Sequence, residues 1–216
     1  MIKTEQTQFW EGEFGKEYTD RNSRDNADWD NYYTENYGIT KIAMNENFLS
    51  GLPLDAKLLE VGCNTGMQLV GFQRMGFKNI YGVELQPYAA EKAKEYTKNI
   101  NIISASGFDI PFKDKYFDLV CTNGVLIHID PNDLSLIMDE MYRCSKKYIF
   151  GLEYYADSLK TINYRGNENY LWKADYASLF LERFPDLKLV KKEIYPYITE
   201  ANKGNADSMY LLEKTK

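Results

Sequence analysis

The residues best suited to chemistry gather near position 60, in the run Glu60-Val61-Gly62-Cys63-Asn64-Thr65-Gly66, with Glu84 closing the next strand. Gly62 and Gly66 let the backbone turn tightly and approach a ligand closely. A helix starting after Gly66 offers free N–H groups at its first turn. Glu84 suits a carboxylate that accepts hydrogen bonds from two ribose hydroxyls. A dinucleotide site needs G-x-G-x-x-G, so that a pyrophosphate lies on the helix N-terminus. The spacing here is G-x-x-x-G, Asn64 stands where a middle glycine would, and Glu60 would repel a phosphate. An acid at 60 instead suits a positive amino group, such as the one on the methionine portion of S-adenosylmethionine. A turn that only joined strand to helix would explain both glycines, but not acids at both strand ends.

A second set lies further along: Asn123, His128, Glu153-Tyr154-Tyr155, Tyr164, Arg165 and Lys173. In an open α/β sheet, ligands collect beyond the C-terminal ends of the strands, which gathers Asn123 to His128 and Glu153 to Tyr155 around one cleft. His128 is the candidate base, since an unperturbed imidazole titrates near 6.5. It also reads as a packing residue between Ile127 and Ile129, and Glu153 and Tyr154 compete for the role. Tyr155 and Tyr164 are candidates for the acceptor's pocket. Arg165 forks a phosphate or carboxylate and Lys173 adds a point charge, although the same two residues read equally as surface cations.

These groups must be positioned by elements, and from Lys57 onward strands and helices alternate. Leu58 to Val61, Ile80 to Val83, Ile100 to Ser104, Phe117 to Thr122 and Lys147 to Gly151 read as strands. Met67 to Met75 reads as a helix, and Pro87 opens another with Ala89, Ala90, Ala93 and Tyr96 on one side. Asp130-Pro131 is expected to begin a third, with Leu134, Ile137, Met138 and Met141 buried. This rhythm indicates a mainly parallel α/β sheet. A helix over Tyr176 to Phe184 and two strands, Leu187 to Ile194 and Met209 to Leu212, follow; with no helix between them the strands should pair antiparallel. Ahead of all this, Trp29, Tyr33, Tyr37, Thr40, Met44 and Phe48 fall on one helical face, weakened at Gly38. Residues 1–53 are therefore expected to be a helical cap, and 54–216 one catalytic unit. Trp10 and Trp29 are expected to complete the core.

The chain has 216 residues, 44% hydrophobic and 15% aromatic, with 26 basic against 32 acidic residues and a net charge of −6. That balance speaks against a nucleic-acid partner. No apolar run approaches the ~18 residues of a membrane span, and the N-terminal residues lack a secretion signal's apolar core. Three scattered cysteines and a single histidine make a Cys/His zinc site unexpected and suit a reducing, cytoplasmic setting. Oligomeric state is left open.

The motifs Leu59 to Gly66, Gly82-Val83-Glu84, Asp109-Ile110-Pro111-Phe112 with Phe117-Asp118-Leu119-Val120, and Val125 to Ile129 occur in the order of a class I S-adenosylmethionine-dependent methyltransferase, which the chain resembles. The terminal hairpin resembles that fold's last two strands. The flanks, Phe9-Trp10, Gly12 to Gly15, Tyr18, Arg21-Asn22, Tyr164-Arg165-Gly166 and Leu171 to Asp175, look like the methylase family associated with pseudaminic acid biosynthesis. The resemblance implies a Rossmann-like sheet and S-adenosyl-L-methionine as cofactor. Glu60, Gly62, Cys63, Asn64, Gly66, Glu84, Leu85, Ser106, Gly107 and Asn123 would hold it, with Tyr18 and Arg21 closing over it from the cap. Ala105-Ser106 replaces the frequent Gly-Asp pair, which removes a carboxylate acceptor for the adenine amine. The implied acceptor is a small polar molecule, anionic or sugar-like: a sugar, nonulosonic acid or nucleotide sugar of surface-glycan biosynthesis. Another metabolite, or a non-catalytic cofactor-binding scaffold, is the alternative.

Overall fold

The computed structural model describes residues 3–23 and 25–215; Met1 and Ile2, part of the N-terminal stretch considered above, lie outside the described residues. The strands are β1 (Lys57–Val61), β2 (Asn79–Glu84), β3 (Asn101–Ser104), β4 (Phe117–Asn123), β5 (Ser145–Tyr154), β6 (Lys160–Thr161), β7 (Trp172–Lys173), β8 (Leu187–Pro196) and β9 (Ala206–Lys214). Seven of them form a sheet in the order β3-β2-β1-β4-β5-β9-β8, and β6 pairs with β7 separately. The first five are parallel, and β9 runs antiparallel between β5 and β8. This is the expected Rossmann-like arrangement with a terminal antiparallel pair. Its switch point lies between β1 and β4, where the cleft opens.

The helices are α1 (Glu5–Glu11), α2 (Glu13–Asn22), α3 (Asn26–Tyr37), α4 (Lys41–Leu49), α5 (Met67–Arg74), α6 (Pro87–Tyr96), α7 (Leu134–Cys144) and α8 (Tyr176–Arg183). The aromatic stripe from Trp29 to Phe48 is carried by two helices, not one. Gly38 takes a left-handed conformation (φ 72°) that ends α3, and the Thr40 hydroxyl accepts from Ala43 N to start α4. The helix expected from Asp130 begins only at Leu134. The Asp130 side chain accepts from Asn132 N at 2.8 Å and so closes a turn that delays it. Tyr96 lies half-exposed, because the three alanines of α6 already fill its buried face.

Strand parity sets two cores. Leu59 and Val61 face α7 and α8, while Leu58 faces the other side with Phe72, Trp29, Met44 and Phe48. Burying side chains like Trp29 and Phe48 is worth roughly 2 kcal/mol each, so α3 and α4 are integral to this layer. Glu60 shares the parity of Leu58, which turns it toward the side where α4 brings Lys41. Trp10, expected in the core, is only partly buried and lines a cavity instead. Among the described residues no helix is long and apolar enough to cross a membrane.

Candidate active site

Two chambers open at the C-terminal ends of the parallel strands and share Tyr18, Gly62, Asn64, Asn123, Gly124 and His128 as their common wall. The first, of about 150 Å³, is bounded below by Val61, Glu84, Leu85, Ser106, Gly107 and Ile137, and roofed by α1 and α2 through Thr7, Trp10 and Tyr18. Its floor is fixed by the loop after β1. Gly62 (φ 72°) and Cys63 donate their N–H groups to Val83 O at 2.8 and 3.1 Å, tying the loop to β2. Glu84 accepts from Asn64 N at 2.7 Å and from Gln86 N at 2.8 Å. Burial raises its pKa, and these backbone N–H groups pull it part of the way back. The Ser106 hydroxyl accepts from Phe108 N at 3.1 Å and shapes the turn there.

The roof is latched by a residue the sequence did not single out. Gln86 Nε2 donates to the carbonyls of Trp10, Glu11 and Gly12, at 3.2, 2.8 and 3.0 Å, where α1 meets α2. That corner is tight: a Cβ on Gly15 would lie 1.9 Å from the Trp10 carbonyl oxygen. The neighbour of Gln86, Glu84, forms the floor, so floor and latch are two residues apart.

The second chamber, of about 430 Å³, is walled by Glu60, Cys63, Tyr33, Tyr37, Tyr154, Tyr164, Tyr197 and Asp207, with Arg165 at an exposed edge. Glu60 is buried and its Oε2 has no partner. Burial pushes its pKa well above the ordinary range, against the pull of the Lys41 ammonium. Lys41 is fully buried behind the wall and donates to Asn123 Oδ1 at 3.0 Å. Its burial brings it down to about 7 despite Asp207 and Glu60 nearby. Asp207 Oδ2 accepts from Tyr37 OH at 2.6 Å and Tyr197 OH at 3.3 Å, and burial pushes its carboxyl up to about 6.

His128 sits on a single 3-10 turn, Leu126–His128, rather than on β4. Its Nδ1 lies 2.8 Å from Tyr170 O. A carbonyl only accepts, so Nδ1 carries the proton and Nε2 keeps its lone pair. Burial depresses the ring's pKa to about 4, so it is neutral near pH 7. The Trp10 indole packs over it, ring centroids 4.6 Å apart, and Trp10 Nε1 has no partner. Glu153, expected to compete for the base role, is off the chamber wall. Its carboxylate is buried and accepts from Val125 N (3.3 Å) and Ile127 N (3.4 Å), bracing the turn that carries His128.

Four other expected site residues are not brought to the chambers. Arg21 is exposed, paired with Glu17 at 3.3 Å and lying over the Phe14 ring. Tyr155 turns outward to donate to Asp157, with Lys192 over its ring. Lys173 donates to Asn205 and stacks over Tyr154. Gly66 serves the start of α5, where a Cβ would meet Thr97 at 2.9 Å. The cation pair imagined for an anionic acceptor therefore reduces to Arg165. Among the described residues no group of histidine, cysteine and acidic side chains is placed to hold a metal.

Residues 59–150 match the family model of the methyltransferase domain. An uncharacterized protein of Haemophilus influenzae is 28% identical over 102 residues, 44% of this chain. The match spans 41% of that relative's length, so the chain covers less than half of it. Among solved structures, an S-adenosylmethionine-dependent methyltransferase from Anabaena variabilis superposes with a TM-score of 0.69 at 12% identity, covering 98% of this chain and 96% of that one. The 1,6-didemethyltoxoflavin-N1-methyltransferase of Burkholderia thailandensis, solved with bound 1,6-didemethyltoxoflavin and S-adenosylhomocysteine, gives a TM-score of 0.62 at 15% identity over 81% of this chain and 76% of that one. At these identities the likeness is one of fold.

Proposed function

We propose that this enzyme, a methyltransferase whose cofactor is S-adenosylmethionine, moves a methyl group to an oxygen or nitrogen of a small polar acceptor. The observation that carries this reading is the pair of chambers meeting at Gly62, Asn123 and His128, one floored by Glu84 and the other walled by Glu60. The residues fit the cofactor: Glu60 Oε2 and Asn64 Oδ1 are buried acceptors without partners, as a ligand with an amino group and hydroxyls would require. Glu84 would take the ribose, with Leu85, Ser106 and Gly107 beside the base. Glu60, Gly62, Cys63, Asn64 and Asn123 would hold the amino-acid end, with Tyr18 closing over the junction. When bound, the cofactor supplies a methyl group on a sulfonium, already a good leaving group. Alignment and exclusion of water are what remain for the protein.

The acceptor belongs in the tyrosine-walled chamber. Aromatic faces stack on the C–H faces of a sugar, and Arg165 at the edge suits an anionic substituent. A sugar, nonulosonic acid or nucleotide sugar fits that description. His128 Nε2 accepts the acceptor's O–H or N–H and aims its lone pair. His128→Ala should lower kcat by about 100-fold while S-adenosylhomocysteine affinity stays within about threefold. Because the ring is neutral above pH ~4, the wild-type kcat profile should carry no His128 inflection between pH 5 and 8. An inflection there that disappears in His128→Ala would overturn this assignment.

Of the N-terminal residues 1–53 read as a cap, α1 and α2 are the part that roofs the cofactor chamber. Gln86→Ala removes three hydrogen bonds from the corner between them, so limited proteolysis should cut before residue 23 several-fold faster, with S-adenosylhomocysteine restoring less protection than in wild type. Unchanged cleavage would mean the roof is fixed by packing alone. For the cofactor, calorimetric titration with S-adenosylmethionine, S-adenosylhomocysteine and NAD is decisive. Binding of the two sulfur ligands and not NAD is expected; binding of neither would defeat the methyltransferase reading.

A further inference from the structure

Behind the shared wall, the second chamber has a composition that selects among acceptors. Its deep side joins Tyr33, Tyr37, Tyr154 and Tyr197, with ring centroids 5.6 Å apart for Tyr33–Tyr37, 4.7 Å for Tyr37–Tyr197 and 5.8 Å for Tyr154–Tyr197. Asp207 from β9 stands among them and is almost wholly buried. Both tyrosine hydroxyls that reach it donate to Oδ2, which leaves Oδ1 for a ligand. Two cations already serve part of this end: Lys41 donates to Asn123 and lies 5.2 Å from the Tyr33 ring, and Lys173 donates to Asn205 and lies 4.6 Å from the Tyr154 ring, which leaves the Tyr37 and Tyr197 faces beside Asp207 Oδ1 for a ligand. Arg165 lies at the exposed edge and lines the chamber there. Aromatic faces attract a cation through their quadrupole, and a buried carboxylate needs a charge or hydrogen-bond donor opposite it.

We propose that the acceptor presents an amine to this tyrosine-and-Asp207 pocket, so that the methylated atom is nitrogen and the acceptor is an amino sugar or similar small amine. This rests on the methyltransferase reading of the same site. The step balances without a further reactant. The free-base amine's lone pair forms the new N–C bond, the C–S bond breaks with its electron pair left on sulfur, and the positive charge ends on nitrogen. The resulting ammonium N–H donates to Asp207, with the tyrosine faces around it. A hydroxyl acceptor would instead pass its proton to a base in the same step and leave a neutral ether, with no lasting cation for them to stabilise.

The test separates this pocket from the cofactor site. Protein saturated with S-adenosylhomocysteine is titrated with methylammonium chloride and, in parallel, with sodium acetate at matched ionic strength, following tyrosine resonances by NMR. Methylammonium is expected to shift the chamber tyrosines with a millimolar Kd and acetate is not. Asp207→Asn should weaken methylammonium binding at least tenfold while leaving S-adenosylhomocysteine affinity unchanged, which also certifies that the variant is folded. Tyr197→Phe, which keeps the ring, should weaken it less. Preference for acetate, or methylammonium binding insensitive to Asp207→Asn, overturns the proposal and leaves the methyltransferase reading standing. Failure of S-adenosylhomocysteine to bind the wild type defeats that reading and this one together.

Discussion

Glu84→Ala should abolish useful cofactor binding, raising the Kd for S-adenosylhomocysteine at least ~100-fold, about 2.8 kcal/mol at 1.4 kcal/mol per decade. The carboxylate has two tasks that fail together. It accepts Asn64 N and Gln86 N, which set the loop after β1 and the start of α6, and it is the acceptor proposed for the ribose. Hydrogen bonds to a charged group contribute about 1.5–3 kcal/mol each, so losing the two proposed to the ribose hydroxyls is enough for the stated effect. Glu84→Gln keeps one carbonyl oxygen and should fall between. Calorimetry on both variants decides the matter, with circular dichroism to show that the sheet persists. A Kd within fivefold of wild type would mean the ribose binds elsewhere. The variant should also loosen the roof, because Gln86 holds α1 and α2 through the same turn.

That Glu84 could be singled out from the chain alone has a physical cause. The loop from Glu60 to Gly66 is local: its glycines, its acids and the strand before it lie within a few residues, and strand parity assigns their faces. The alternation of strands and helices likewise follows from period and punctuation. What stayed illegible depends on contacts between distant segments. Lys41 lies 82 residues from the Asn123 that it meets, and a lysine at the start of an amphipathic helix reads as solvated. Its signal was there, however. Lys41, Met44, Asn45 and Phe48 share one face of α4 and all are buried, so a lysine in that stripe needs a buried partner. Asp207 falls two residues before the strand expected from Met209, although β9 begins at Ala206 and carries it into the sheet. Lys173 and Arg165 looked equivalent until folding gave one of them to Asn205. Gly38 alone looks like a weak point within one helix. Paired with a Thr40 cap, it makes a boundary.

Glu153→Gln should stabilise the fold in a pH-dependent way and slow the reaction. Burial raises this carboxyl from 4.5 to about 7. The folded protein therefore holds the proton more tightly than the unfolded chain, and stability from this group is full below pH ~4.5 and lost as pH rises toward 7. Glutamine keeps the shape and never ionises, so it escapes that loss. Taking 1.36 kcal/mol for each pH unit between 4.5 and about 7, the variant should gain about 3 kcal/mol over wild type on moving from pH 4 to pH 8. Urea melts of both proteins across that range measure it. A stability difference that stays constant would show that Glu153 ionises normally. Yet the same substitution replaces a carboxylate oxygen that accepts Val125 N or Ile127 N with an amide NH₂, which cannot accept. The turn carrying His128 should lose its brace, and kcat should drop roughly tenfold with cofactor affinity preserved. A slower enzyme whose stability falls less than the wild type's between pH 4 and pH 8 is the outcome expected where a buried acid is kept for positioning rather than for stability. If kcat is unchanged in the stabilised variant, the turn is held by its packing, and the acid at 153 serves neither the reaction nor the fold.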